Sequence, residues 1–491
     1  MARQNKQRPG FLGIGIAVAL LAVAACGKHS NTTPVVISSA APAVSAGPTS
    51  PPCTLTLGFA YEPAGGNPAG QGVIQVVHFE DNNQNLCGGV SPTAIPTGVT
   101  LPAPVGAVAF STDVSDAVAL MQSGSGFTLA QDVFGSIVAN LVPSGLPYNL
   151  DAQPPLTSAT ATPVPAPLIP NVTGATIIGT GNTALGLFVG PGVTPGALVA
   201  LNNFTNAPPQ YASNIPYSAT GYTLKSVAGP YSIVRAGIAD SSGATPVLVR
   251  GPSDMALFKV VAVGAGFQFN LIADNTSLGY GPSTVLQGNG NIAFDPADAT
   301  RALVGGNSTG TGSVLTLVSA LPGQITSLAS ITLPGNINSI VIATNGVIAV
   351  VGTDAGIVTI NGVNGSSLTI QKPFEPFQGS TQVSAIPYTN CNNTSSFMTD
   401  VQSIGVSAGS IPNTTNNYLV ALGTAPGLSC ASGNNSALVA VPFDTVNGTI
   451  AAPGATPSPV ASASPLPTPP AVYTQNNVVP PPAGADYLLV H

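Results

Sequence analysis

Residues 339–353 read SIVIATNGVIAVVGT. Two β-branched runs flank Asn345-Gly346. Val, Ile and Thr favour extended backbone, and Asn-Gly supplies the two positive φ angles of a two-residue type I′ turn. The stretch is therefore expected to be a β-hairpin. Its apolar residues run in short blocks bounded by turn residues, a strand pattern rather than a helical one.

The same unit recurs. VAFSTDVSDAVALMQSG begins at Val108, ATIIGTGNTALGLFVG at Ala175, AGIADSSGATPVLVRG at Ala236 and NIAFDPADATRALVGG at Asn291; SIGVSAGSIPNTTNNYLVALGT follows from Ser403. The second strands end near Met121, Val189, Val249, Val304, Val351 and Leu422, at spacings of 68, 60, 55, 47 and 71 residues. A third strand usually follows, as in GFTLAQDV from Gly126, GSVLTLV from Gly312 and AGIVTI from Ala355. The expected fold class is all-β. An inner strand, a hairpin and outer strands in each repeat follow the logic of a β-propeller blade. A parallel β-helix, the runner-up, calls for a tighter repeat of about 20–25 residues; a pair of β-sandwiches is the other alternative.

NIAFDPADATRALVGGN, from Asn291, resembles the blades of lactonase-like and surface-layer-type seven-bladed propellers, and the resemblance extends repeat by repeat over residues 55–491. It implies a ring of four-stranded sheets, a central channel and a ligand-binding loop face. Six repeats are complete. TLTLGFAY (Thr54 to Tyr61) and GVIQVVHF (Gly72 to Phe79) lack a full repeat before them, and ADYLLVH (Ala485 to His491) resembles a lone strand. Both ends are therefore expected to build a composite seventh blade, which would remove free sheet edges. The stretch 451–483 carries ten prolines and reads as an excursion before the closing strand; a disordered tail on a six-bladed ring is the alternative.

The N-terminus has the parts of an export signal over residues 1–25. Arg3, Lys6 and Arg8 precede an uncharged, mostly apolar run from Phe11 to Ala25, too short for a mature bilayer span of about 20 residues. Val23-Ala24-Ala25-Cys26 resembles the lipobox of bacterial lipoproteins, which implies lipidation of Cys26 and attachment to a membrane. Gly27 in the following position favours the outer membrane if the cell is Gram-negative. Residues 26–52, rich in Pro, Ser and Thr, read as a tether of about 28 Å root-mean-square length. Residues 53–491 then form a single propeller domain.

Charge and cysteines agree with an extracytoplasmic location. Only seven basic residues lie beyond the signal against 17 acids, a net of 7 − 17 = −10, which argues against nucleic acid as a partner. Four cysteines remain after Cys26. Pairing Cys53 with Cys87 and Cys391 with Cys430 would close two loops of about 35–40 residues, each worth roughly 3–4 kcal/mol.

Other motifs are weaker. Gly405-Val406-Ser407-Ala408-Gly409 matches G-x-S-x-G, and Ser407, Asp444 and His491 follow the order of α/β-hydrolases, but that motif needs a strand-turn-helix setting. Asp81, Asn83 and Asn85 have calcium-loop spacing without its glycine or closing glutamate. Asp295 and Asp298 read as turn residues. His78, Tyr211, Tyr217 and Tyr222 are the candidates for a ligand face. No metal, cofactor or catalytic residue is assigned. The expected function is an envelope-anchored binding or scaffold module for an extracytoplasmic protein or polymer, preferred over an enzyme. The alternatives are a lactonase-like hydrolase or lyase acting on a neutral ligand at the channel, or a self-associating surface protein. An enzyme should gather several acid, Asn or His side chains at the channel; a scaffold should line it with Ser, Thr, Gly and backbone.

Overall fold

The computed structural model describes residues 233–427 with breaks, residues 436–450, the strand segments between 56 and 211, and residues 478–479 and 487–490. The signal and tether (1–52) lie outside the described residues, as do Cys26, Cys53, Cys87, Cys391 and Cys430.

All the regular structure described is β apart from one short 3-10 turn, and every strand pair is antiparallel. The first sheet contains β1 (Thr56–Tyr61), β2 (Gly72–Phe79), β3 (Thr93–Ala94) and β4 (Val99–Leu101). The second contains β5 (Val105–Phe110), β6 (Ala117–Met121), β7 (Ser125–Leu129) and β8 (Tyr148–Asn149). The third contains β9 (Gly174–Ile178), β10 (Leu185–Gly190), β11 (Ala197–Asn202) and β12 (Gln210–Tyr211). The fourth contains β13 (Ile233–Ala236), β14 (Thr245–Arg250), β15 (Met255–Val263) and β16 (Gly266–Asn275). The fifth contains β17 (Ile292–Phe294), β18 (Arg301–Ser308), β19 (Ser313–Ser319) and β20 (Thr326–Leu333). The sixth contains β21 (Ile337–Ile342), β22 (Ile348–Thr353), β23 (Gly356–Asn361) and β24 (Thr369–Ile370). A separate hairpin, β25 (Pro387–Thr389) and β26 (Ser395–Phe397), follows. The seventh sheet contains β27 (Thr399–Ser410), β28 (Asn417–Thr424), β29 (Ser436–Asp444), β30 (Thr449–Ile450) and β31 (Val478–Val479).

Each of the six sequence repeats thus opens one sheet. The long 71-residue spacing is accounted for by the extra hairpin β25–β26, whose Phe397 ring packs edge-to-face on Phe377 at 6.3 Å. The last strand, β32 (Tyr487–Val490), pairs with β1, setting Phe59 opposite Leu489 and Tyr61 opposite Tyr487. β31 falls inside the proline-rich stretch and pairs with β29, so part of that stretch returns to the seventh sheet. The leading strands touch in succession: β5 with β9, β9 with β13, β13 with β17, β17 with β21, β21 with β27, and β27 with β32.

The core lies between the sheets. On β22, Ile348 and Val350 point to one side and pack with Leu419, Ala421, Val441 and Phe443 of the seventh sheet. The alternate residues Ala349 and Val351 point to the other side and meet Leu303, Leu315, Leu317 and Leu333 of the fifth. β18 repeats the pattern, with Leu303 in that core and Ala302 and Val304 facing Ile233, Leu248 and Leu257 of the fourth sheet. A strand covered on both faces has no polar side to display, hence the unbroken apolar runs.

The hairpin around Asn345-Gly346 has a different turn from the one expected. Gly346 is left-handed at φ +69°, but Asn345 is not. The Ala343 carbonyl accepts from the Gly346 N–H at 2.9 Å, and the Ala343 N–H donates to the Ile348 carbonyl at 2.8 Å. The loop is therefore longer than two residues and needs only one positive φ. Asn345 is held at both ends of its amide: Oδ1 accepts from the Val347 N–H at 3.0 Å, and Nδ2 donates to the Thr445 carbonyl at 2.7 Å. That reach to the seventh sheet's turn is a tertiary contact, invisible to turn statistics.

Ile348→Ala and Leu303→Ala, each emptying a fully buried site in a different inter-sheet core, should each cost about 2–5 kcal/mol. Ser327→Ala, on the exposed face of β20, should stay within about 0.5 kcal/mol. Denaturant midpoints of the three variants check this.

Candidate functional site

The leading strands of the third to sixth sheets, β9, β13, β17 and β21, end at Ile178, Ala236, Phe294 and Ile342. These ends and the residues just beyond them surround one cavity of about 840 Å³. Its wall is largely apolar, with Ile177, Ile178, Ile238, Ile292, Phe294 and Ile340 prominent. Ile238 is 40% exposed and Ala239 is also exposed, placing both at the mouth. The volume falls within the range of small-molecule sites, about 300–1,000 Å³. The wall is neither the Ser/Thr/Gly lining expected of a scaffold nor the cluster of acids expected of an enzyme.

Close packing shapes this wall. The Phe294 ring lies on Gly237, where a Cβ would meet Cδ1 at 2.7 Å. The Ala236 N–H donates to the Thr176 hydroxyl at 3.4 Å, joining β13 to β9.

Two charged residues line the cavity, Arg235 and Asp295. Asp295 is 1% exposed. Its Oδ1 accepts from the Ala297 N–H at 2.8 Å, and its carboxylate packs on Gly346, where a Cβ would come within 2.5 Å of Oδ1. Burial pushes the Asp295 carboxyl above the usual carboxylate range, against the opposing pull of the Ala297 N–H.

Other acids serve the hairpin turns. Asp240 Oδ1 accepts from the N–H groups of Ser242 and Ala244, at 2.9 and 3.1 Å. A 2.6 Å bond from the Lys259 ammonium, with the Ser242 hydroxyl, holds Asp240 well below the usual range. Asp298 accepts from the Thr300 N–H at 2.8 Å and pairs with Arg301 at 3.2 Å. Arg301 in turn donates to the carbonyls of Val363 and Gly365, tying the fifth sheet to the sixth. Asp444 accepts from Val446 and Asn447 N–H groups. These are Asx turns, in which a short carboxylate replaces a backbone acceptor.

The G-x-S-x-G match does not form a nucleophile elbow. Gly405 to Gly409 lies inside β27, where the register with β28 slips between Val406 and Ser410. A bulge in a strand presents no strand-to-helix turn, and Asp444 is engaged in its own turn. His491 lies outside the described residues, as do Asp81, Asn83, Asn85, Tyr217 and Tyr222. His78 sits on β2 opposite Leu57 and Thr93, and Tyr211 on β12, the strand of its sheet farthest from β9. Neither is among the described residues that line the cavity. The cavity was not legible in the sequence because its wall combines residues of four separate repeats.

No protein-family model matches the chain, and no curated protein does. Among solved structures it is similar to a candidate 6-phosphogluconolactonase from Bacteroides uniformis, at 11% identity and a TM-score of 0.44, over 81% of this chain and 94% of that one. It is similar to another from Bacteroides fragilis, at 9% identity and a TM-score of 0.45, over 89% and 98%. It is also similar to the WD40 repeats of RRP9, at 10% identity and a TM-score of 0.41, over 79% and 94%.

Because the folded pKa of Asp295 is raised, the folded state holds its proton more tightly than the unfolded chain. Stability should therefore fall as pH rises from about 4 through the raised value. Asp295→Asn keeps an acceptor for the Ala297 N–H and removes the charge, so its advantage over the parent should grow across that window in thermal melts. Parallel curves would show that the buried charge is not responsible. Gly346→Ala should destabilise by about 1–2 kcal/mol from its left-handed φ alone, and by more from the Asp295 clash.

Proposed function

We propose that the seven sheets are the blades of a seven-bladed β-propeller, closed by β32, and that the protein is an envelope lipoprotein binding an extracytoplasmic protein or polymer. The succession of leading-strand contacts and the pairing of β32 with β1 support the ring. The observation that carries the binding role is the apolar cavity at the ends of four successive leading strands, with Ile238 and Ala239 at its mouth. An apolar wall open to solvent gains free energy when a partner group covers it, at about 25 cal/mol per Å². A hydrolase or lyase would need converging polar groups; the wall presents Arg235 and an Asp295 already engaged by backbone N–H groups.

Cys26 carries the lipid and residues 26–52 form the tether, with the outer membrane the destination in a Gram-negative cell. Cys53 pairs with Cys87, and Cys391 with Cys430.

Cys26→Ser should abolish incorporation of labelled fatty acid and move the protein from membrane to soluble fractions; retention on the membrane would refute the anchor. A photo-cross-linking residue at Ala239 should trap a partner in intact cells, whereas the same residue at Ser327 should not. Equal labelling at the two sites would sink the binding role assigned to the cavity.

A further inference from the structure

We propose that Asn364-Gly365 is a site of spontaneous covalent modification, where the asparagine converts to isoaspartate and loosens the tie between the fifth and sixth sheets. The chemistry needs only water. The Gly365 backbone nitrogen attacks the carbonyl carbon of the Asn364 side chain. A C–N bond forms, the bond from that carbon to Nδ2 breaks, and ammonia leaves with the glycine's amide proton. Water then opens the five-membered imide. Cleavage on one side of the ring nitrogen gives aspartate; cleavage on the other leaves Gly365 joined through the side chain, as isoaspartate. Glycine favours ring closure because no Cβ hinders its nitrogen or restricts its backbone.

The chain has five Asn-Gly pairs. Asn289-Gly290 lies outside the described residues. Asn361 is paired with Ile348 on one side and Thr369 on the other, which keeps its backbone extended and opposes the rotation that closure needs. The other three pairs lie outside the strands and share two conditions. Asn345, Asn364 and Asn447 are all exposed. Their glycine N–H groups donate to the carbonyls of Ala343, Gly362 and Asp444, at 2.9, 2.9 and 2.8 Å. What differs is the asparagine amide. Asn345 accepts from the Val347 N–H and donates to the Thr445 carbonyl. Asn447 Nδ2 donates to Asp444 Oδ2 at 2.6 Å. Among the described residues, no hydrogen bond holds the Asn364 amide. It can turn onto the Gly365 nitrogen without breaking one, whereas the other two must give up bonds first.

The product matters because Arg301 brackets this residue. Its guanidinium donates to the Val363 carbonyl at 2.9 Å and to the Gly365 carbonyl at 2.6 Å. Isoaspartate inserts an extra methylene into the main chain between those two carbonyls, so one nitrogen no longer reaches both. Arg301 also closes the turn of Asp295 on the cavity wall, its carbonyl accepting from the Asp295 N–H at 3.0 Å.

The test incubates the full chain at mildly alkaline pH, digests it in acid and follows each Asn-Gly peptide by mass spectrometry. In the folded protein Asn364 should convert about tenfold faster than Asn345 or Asn447, and in urea the three rates should converge. Equal rates in the folded protein, or a spread that persists in urea, would overturn the site, because local sequence and not the held amide would then govern. Hydrogen exchange reads the consequence. The aged parent should lose protection at the Asp295 and Arg301 amides. Asn364→Gln, whose longer side chain closes a ring far more slowly, should keep it through the same incubation. Freshly prepared Asn364→Asp, which adds the charge without lengthening the main chain, should keep it too. Unchanged protection in the aged parent, or equal loss in either variant, would overturn the loosened tie.

Discussion

The architecture depends on strands that are buried on both faces. Ile348 and Val350 commit β22 to one neighbouring sheet while Ala349 and Val351 commit it to the other. A single sheet of this composition would leave one apolar face in water, so no repeat is stable without its neighbours. Burial of each large side chain contributes about 1.5–3 kcal/mol, and successive cores share the same strands. The terminal strands face the same demand, which the pairing of β32 with β1 meets by giving the first sheet a strand from the far end of the chain.

The scarcity of charge makes sense within this packing. A chain with 5% charged residues has few to place, and the described acids sit mainly where backbone amides need acceptors. Asp240, Asp298 and Asp444 each close a turn through their own N–H neighbours, and Asn345 does so with a neutral amide. These turns also reach between sheets, through Asn345 to Thr445 and Arg301 to Val363 and Gly365. Asp295 is the exception in position rather than in kind. It closes a turn as the others do, but it is buried where the cavity forms, and among the described residues it joins no salt bridge.

Local sequence determined much of this. The β-branched blocks and their turn residues prescribe short antiparallel strands, and the six recurring units locate the opening hairpins of six sheets. That information is legible because strand period and turn chemistry act over a few residues. The match fails at the finer level where distant residues intervene: Asn345 was expected to adopt positive φ, but its amide is drawn to Thr445, a hundred positions away.

What only the tertiary structure decided is where the repeats place their ends. Ile178, Ile238, Phe294 and Ile340 belong to four separate repeats and share no motif, yet they line one cavity because their leading strands stop at a common level. The G-x-S-x-G match shows the converse, a local pattern absorbed into the interior of β27. Strand identity follows from short-range sterics and hydrophobic pattern, which a sequence carries directly; a site wall follows from how separate sheets stack, which depends on side-chain shapes summed over several repeats.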